Sequence, residues 1–312
     1  MPENVAAHVK TRFLVFSDTH GLDTPPEFVS REDADVAIHC GDLTTESKLD
    51  EFKASIRFLR AVNAPLKLVI AGNHDFTMDI PVFQRKVAEA QPLDPQLVQK
   101  FYGRYEEARD LFGKEKDTTG ITFLDEGIHT FRLQNGALLN VYASPYTPSC
   151  GDWGFQYRRD NGHDFRIENV DVVMTHGPPK GILDRTLSSQ RAGCQRLFEA
   201  IARAKPRPLM HCFGHIHEAW GAKLVRWRDD ISPEPSHLTD IDHDQSVPIS
   251  TLSTIKRNGK PTESSATSHC DGDPRPLNRG SETLFINAAL EGSRDFMIQP
   301  PWLVDIELPA AV

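Results

Sequence analysis

An α/β fold is what this sequence predicts, on three observations. Short apolar runs near the N-terminus stop abruptly at Gly, Asp, Asn or His, as buried strands do where they run out into loops. Apolar residues recur at helical spacing between two of those runs, which makes a strand–helix–strand unit and therefore a parallel pair. Apolar residues form 39% of the 312-residue chain against 25% charged, enough for a core that a disordered chain would lack. By length, one large domain fits as well as two.

The elements follow in order. Phe13-Leu14-Val15-Phe16 stops at Ser17-Asp18-Thr19-His20-Gly21, and Val36-Ala37-Ile38 runs through His39-Cys40 into Gly41-Asp42. Leu49, Phe52, Ile56 and Leu59 mark the helix that leads to the third strand, residues 66–71, which ends at Gly72-Asn73-His74-Asp75. Leu97, Phe101, Tyr105, Ala108 and Phe112 predict an amphipathic helix, and Asn135-Gly136 between two apolar runs predicts a hairpin. Residues 170–174 form another buried strand, stopping at Thr175-His176-Gly177. Cys194, Leu197, Phe198 and Ile201 give a helix that should end before Pro206. The strand at 209–213 stops at Gly214-His215-Ile216-His217.

Composition changes at residues 229–282, where six prolines, ten acidic and five basic side chains accompany scattered aliphatics without period. Such a stretch buries too little to offset its ordering entropy, so a mobile surface insertion is expected. Leu284-Phe285-Ile286-Asn287 and Trp302-Leu303-Val304-Asp305 then read as closing strands.

Lys and Arg number 35 against 44 Asp and Glu, a net charge of −9, so no global positive field exists to hold nucleic acid or an anionic membrane. No apolar run approaches the roughly 18 residues of a spanning helix, and residues 1–10 hold no signal-peptide core. Cys40, Cys150, Cys194, Cys212 and Cys270 are odd in number, lack Cys-x-x-Cys spacing and read as buried thiols in a reducing compartment. A cytoplasmic protein is the expectation.

Five strand ends carry residues able to hold a hard or borderline metal: Asp18 and His20, Asp42, Asn73 and His74, His176, and His215 and His217. In open α/β sheets the loops beyond the strands' carboxyl ends converge on one site. Carboxylate and amide oxygens with imidazole nitrogens suit manganese, iron or zinc, and not calcium. Asp18 and His20 stand two apart, as do His215 and His217, so in extended chain each pair points to one side. Seven candidate ligands (Asp18, His20, Asp42, Asn73, His176, His215, His217) are too many for one transition ion. If one carboxylate bridges, they divide into two half-sites with room for water. A pair of cations about 3.5–4 Å apart is suited to attack on phosphate esters. It would also supply locally the positive charge that an acidic chain lacks.

Singly, each motif has an ordinary reading. Asp18-Thr19-His20 fits an Asx turn, Gly72-Asn73 a tight turn, and His39 a hydrogen-bonded strand histidine. The ordered set, each member at a strand end, does not.

That order resembles the calcineurin-like metallophosphoesterases, whose pattern is Asp-x-His, Gly-Asp, Gly-Asn-His-Asp/Glu, His and Gly-His-x-His. Ser144-Pro145-Tyr146 with Trp153-Gly154-Phe155, Thr175-His176-Gly177-Pro178-Pro179, and residues 213–221 (F-G-H-I-H-E-A-W-G) are similar to the metallophosphoesterase domain-containing branch, also called UPF0046. The likeness covers about residues 12–223 and resumes at 284–308. It implies a single domain over 12–308, two packed mixed β-sheets flanked by helices, interrupted by the insertion at about 229–282.

The resemblance implies one metal held by Asp18, His20, Asp42 and His217 and a second by Asp42, Asn73, His176 and His215, with Asp42 bridging. Two divalent ions follow, manganese first, with iron, zinc or magnesium also accepted. His74 is implied to meet the phosphate or protonate the leaving oxygen without binding metal, and Asp75 to orient it. The implied activity is hydrolysis of a phosphodiester or phosphomonoester, cyclic nucleotides included, by attack of metal-bound hydroxide on phosphorus. The alternative is a nucleotide-binding or scaffolding protein that keeps the metal site with little turnover. The expected partner is a small phosphate ester or nucleotide. His215 stands where weakly catalytic vertebrate-type members carry Gly, so both half-sites look complete. Leu43-Thr44-Thr45-Glu46 follows Gly41-Asp42 where Ser/Thr protein phosphatases have Asp-Arg-Gly, which disfavours a phosphoprotein substrate. Trp153, Phe155, Tyr157, Arg158 and Arg159 are candidates to wall a substrate pocket, with core packing as the other reading for Trp153 and Phe155.

Overall fold

Alternate side chains buried on opposite faces of short strands build two sheets in the computed structural model, which describes residues 7–258, 263–292 and 297–311. The first strands in chain order are β1 (His8–Phe16), β2 (Val36–His39), β3 (Leu66–Val69), β4 (Ile121–Phe123), β5 (Gly127–Arg132), β6 (Leu138–Ser144), β7 (Thr147–Pro148) and β8 (Gln156–Tyr157). They continue as β9 (Val172–Thr175), β10 (Met210–Phe213), β11 (Gly221–Trp227), β12 (Ile241–Thr251), β13 (Ser265–Ser268), β14 (Glu282–Asn287) and β15 (Trp302–Pro309). One sheet runs β13-β15-β1-β2-β3-β4 and the other β12-β11-β14-β10-β9-β6-β5, with β7 and β8 paired separately. Strands β1 to β4 are parallel and β15 is antiparallel to β1. In the second sheet β6, β9, β10 and β14 are parallel, and β5, β11 and β12 pair antiparallel to their neighbours. Both sheets are therefore mixed.

The sheets pack face to face. Phe13, Val15, Val36, Ile38 and Leu68 of the first meet Val141, Val172, Met174 and Cys212 of the second in one buried cluster. Leu14, Phe16, Ala37 and Val69 point the other way, against Phe52, Ile56 and Leu59 of the helix Leu49–Arg60. Tyr142, Val173, Phe213 and Phe285 do the same on the second sheet, against Leu197, Phe198 and Ile201 of the helix Gln195–Arg203. Strands buried on both faces need continuous apolar runs, which is why those runs stood out in the sequence. Cys194 caps its helix, the Sγ accepting from the Leu197 N–H at 3.2 Å. The β5–β6 hairpin turns through Asn135-Gly136, with Gly136 at φ 89°. The closing strands are β14 and β15.

Three expectations change. The helix expected through residues 97–112 is two helices, Pro95–Tyr102 and Glu107–Gly113, because Gly103 leaves helical backbone at φ 79°. Ala108 and Phe112 are buried, whereas Leu97, Phe101 and Tyr105 stand 52%, 45% and 46% exposed. The 229–282 stretch, expected as a mobile surface insertion, contributes an edge strand to each sheet, β12 against β11 and β13 against β15. An edge strand is held by backbone hydrogen bonds on one side and needs no apolar period, and most β12 side chains are not buried. Cys150 is exposed, while the other four cysteines are buried; all five are free thiols.

Trp220, just past the His215–His217 segment, stacks on Trp302 of β15 at 4.9 Å and 22°, both essentially without solvent contact. Trp220→Ala should cost about 3–5 kcal/mol in urea unfolding; a loss below about 1 kcal/mol would show that the pair does not brace the two sheets.

Candidate metal centre

The carboxyl ends of β1, β2 and β3 in one sheet and of β9 and β10 in the other meet at one edge of the sandwich. Asp18 and His20 follow β1, Asp42 follows β2, Asn73 and His74 follow β3, His176 follows β9, and His215 and His217 follow β10. The chain turns sharply at these points. Asp18, His20, Asp42 and His215 all hold positive φ, at 54°, 44°, 53° and 68°. Each such non-glycine residue costs of order 1–3 kcal/mol, and such strain collects at functional sites. Two glycines let backbone approach the carboxylates: a Cβ on Gly214 would lie 1.9 Å from Asp18 Oδ2, and one on Gly72 would lie 2.2 Å from Asp42 Oδ1.

Among the described residues, three groups have ligand atoms all within 4.8 Å of one another: Asp18, His20 and His217; His20, Asp42 and His74; and Asp42, His176 and His215. Asp42 and His20 each belong to two groups. His217 Nε2 is 3.3 Å from Asp18 Oδ1, His176 Nε2 is 3.3 Å from Asp42 Oδ2, and His20 Nε2 is 3.9 Å from the same Asp42 oxygen. Asn73 Oδ1 joins at 2.9 Å from His176 Nε2. The structure thus brings together all seven residues singled out as ligands. His20 Nε2 is buried without a hydrogen-bond partner, although Glu291 Oε2 lies 3.0 Å away outside hydrogen-bond geometry. A buried imidazole nitrogen left unpaired, in a set of carboxylate, amide and imidazole donors, fits a divalent cation.

Surrounding groups fix the donors. His176 Nδ1 sits 2.9 Å from the Cys40 carbonyl, so Nδ1–H donates there and Nε2 is the nitrogen that faces the site. The Asp18 carboxylate accepts from the His215 backbone N–H at 3.1 Å, and Asp42 Oδ1 from the His74 N–H at 2.8 Å. His39 bonds Thr19 Oγ1 at 2.9 Å and its Nδ1 accepts from the Gly41 N–H at 3.2 Å, tying together the two loops that carry Asp18 and Asp42. Burial pushes His39 down to about 3, so it stays neutral, as a strand histidine with a structural task.

Burial opposes charge on Asp18, but the hydrogen bond and charge of His217 outweigh it and hold Asp18 at about 2. Asp42 is likewise held below the ordinary carboxylate range, burial being outweighed by His176. Burial also acts against His176 and His217, yet Asp42 raises the first and Asp18 the second, each to about 9. Loss of solvent and the neighbouring His176 push His215 down to about 4.

One expected role changes. Asp75 does not orient His74. Its buried carboxylate accepts from the backbone N–H groups of Leu43, Thr44 and Gly72 and from Thr44 Oγ1, joining the Asp42 loop to the Asn73 turn. Burial and the charge of Asp42 raise it to about 7. The His74 ring is set by other partners: Nδ1 is 2.7 Å from the Thr45 carbonyl, and Trp153 lies against the ring at 4.1 Å and 31°. Trp153 is half-buried while Phe155 is buried among core residues, so of the two only Trp153 borders the site. Glu291 went unnoticed in the sequence, although it too is an acid shortly beyond a strand end, that of β14.

The sequence model of calcineurin-like phosphoesterases matches residues 11–219. The chain is 32% identical over 216 residues to metallophosphoesterase domain-containing protein 1 of Homo sapiens, covering 68% of this chain and 62% of that protein. It is 28% identical over 216 residues to a UPF0046 protein of Caenorhabditis elegans, covering 67% of this chain and 52% of the other. It is also 31% identical over 218 residues to a protein of Emericella nidulans named probable rhamnogalacturonate lyase C, covering 69% of this chain but only 18% of that one. The chain thus spans less than two thirds of the length of each of these relatives.

Because folding raises His176 and His217 above 6.5, their ion pairs stabilise the metal-free protein fully below that pH, and the benefit is lost as pH rises through about 9. A cation must displace those protons, so its affinity rises across the same window. The gain in Tm on adding manganese should therefore be larger near pH 9 than at pH 6.5; an equal or smaller gain at the higher pH would contradict this protonation scheme.

Proposed function

The chain belongs to the calcineurin-like phosphoesterase family, and from that premise we propose a two-metal phosphoesterase acting on small phosphate esters, a phosphodiester such as a cyclic nucleotide before a phosphoprotein. The observation that supports it most is the sharing of Asp42 between two of the three donor groups. Asp18, His20, Asp42 and His217 would hold one cation, and Asp42, Asn73, His176 and His215 the other. Divalent cations here, manganese first, would polarise the phosphoryl oxygens and acidify water.

The chain's own residues do the rest. Asp18 and Asp42 remain ionised at neutral pH, so the site presents two fixed negative charges to the cations. His176 is fixed in one tautomer by the Cys40 carbonyl. With His74 Nδ1–H committed to the Thr45 carbonyl, Nε2 is the atom left to meet the phosphate or the leaving oxygen. Trp153 against the same ring limits how far it turns. No helix among the described residues is long and apolar enough to cross a membrane. A cytoplasmic setting, without membrane or nucleic-acid scaffold, belongs to the proposal.

Turnover of bis(p-nitrophenyl) phosphate should require added manganese and vanish in Asp42→Asn. His74→Ala should lower kcat by about 10²-fold or more while metal content is retained. Turnover that survives a chelator, or a His74 variant with full activity, would defeat the reading.

A further inference from the structure

A cavity of about 510 Å³ lies at the end of the second sheet that also carries His176, His215 and His217, where β11 begins beside the C-terminal ends of β14 and β10. Its walls include residues 181–191, in the segment that follows His176, and Glu218, next in sequence to His217, and none of the proposed metal ligands lines it. Three cations line it: Arg185, Arg191 and Lys223. Arg185 and Arg191 stand opposite each other in an antiparallel bridge, where like charges repel.

Of the two acidic groups at the cavity, Asp184 is paired with a cation and Glu218 with a backbone N–H. Asp184, without solvent contact, takes Arg191 Nη1 on Oδ1 at 2.7 Å and the backbone N–H groups of Gly181 and Gly193 on Oδ2. Glu218 Oε1 accepts from the Leu187 N–H at 2.5 Å. Arg185 donates to the Ser189 carbonyl at 3.3 Å and has no carboxylate partner among the described residues. Lys223 is half-buried on β11, and its ammonium makes no hydrogen bond or ion pair with a described residue. Loss of solvent and the charge of Arg191 hold its ammonium below the usual lysine range. A half-buried cation beside two arginines, without a counter-ion among the described residues, is costly unless an anion joins it.

We propose that this cavity is an anion subsite that takes a second phosphate group, carried by the same small molecule whose ester is cut at the metal centre. The guanidinium of Arg185 and the ammonium of Lys223 would make charge-assisted hydrogen bonds to its oxygens. The substrate class narrows accordingly to a compound with two phosphates, one esterified at the metals and one held in the cavity. The substrate assignment rests on the phosphoesterase reading; the anion site itself does not.

The test has two arms, both on the full chain. After dialysis against chelator, calorimetric titration with inorganic phosphate should show one site, weakened about tenfold in Lys223→Gln and in Arg185→Gln. No binding up to about 10 mM, or equal binding by both variants, overturns the site. With manganese restored, a p-nitrophenyl nucleotide ester carrying a second phosphate on its sugar should have a lower KM than the same ester without it. Lys223→Gln should erase that advantage. Phosphate binding that holds while the two esters share one KM assigns the cavity to free inorganic phosphate and overturns the substrate assignment. If phosphate binds but neither ester is cut, the anion site stands and the phosphoesterase reading falls.

Discussion

Two carboxylates, Asp18 and Asp42, are held almost wholly out of water beside a ring of imidazoles, and the architecture answers that constraint. A buried carboxylate costs several kcal/mol unless opposite charge and hydrogen bonds surround it. Protonated His217 and His176 supply that charge to Asp18 and Asp42, and the His215 and His74 backbone N–H groups supply the hydrogen bonds. A divalent cation can take the place of those protons. The same arrangement therefore forms a set of ion pairs and offers donor atoms suited to a metal.

The two-sheet core is what makes this arrangement rigid. Strands buried on both faces fix where each strand ends, and the ends fix the loops. Buried side chains then fasten loop to loop: His39 between Thr19 and Gly41, and Asp75 between the Asp42 loop and Gly72. The two N–H groups of the buried Gln299 amide are shared among the carbonyls of His217, Ala289 and Glu291, and Asn287 Nδ2 donates to the Ile216 carbonyl. The backbone strain at Asp18, His20, Asp42 and His215 persists because these contacts over-determine each position.

Much of this was legible in the sequence because strand ends announce themselves. A continuous apolar run followed by Asp or His reads the same way whichever sheet holds it, so the ligand set emerged from 18 to 217. What did not emerge depends on partners distant in sequence. Asp75 looked like a neighbour for His74, but adjacent side chains point apart, and its carboxylate turned to the Leu43-Thr44 backbone instead. Edge strands β12 and β13 carry no apolar period because most of their side chains are buried on neither face. Apolar spacing through residues 97–112 looked unbroken, yet a single glycine at positive φ outweighed it. The cation cluster of Arg185, Arg191 and Lys223 had no motif at all, since it is assembled from a hairpin and a strand of the second sheet.

The central claim is that one carboxylate, Asp42, joins two cations. Electron paramagnetic resonance of the manganese-loaded chain, with the metal content counted on the same sample, tests it most directly. The account predicts two ions per chain with an exchange-coupled spectrum, replaced by the signal of isolated manganese in Asp42→Asn. A single ion per chain with an isolated-ion spectrum that the Asp42 variant leaves unaltered would contradict it.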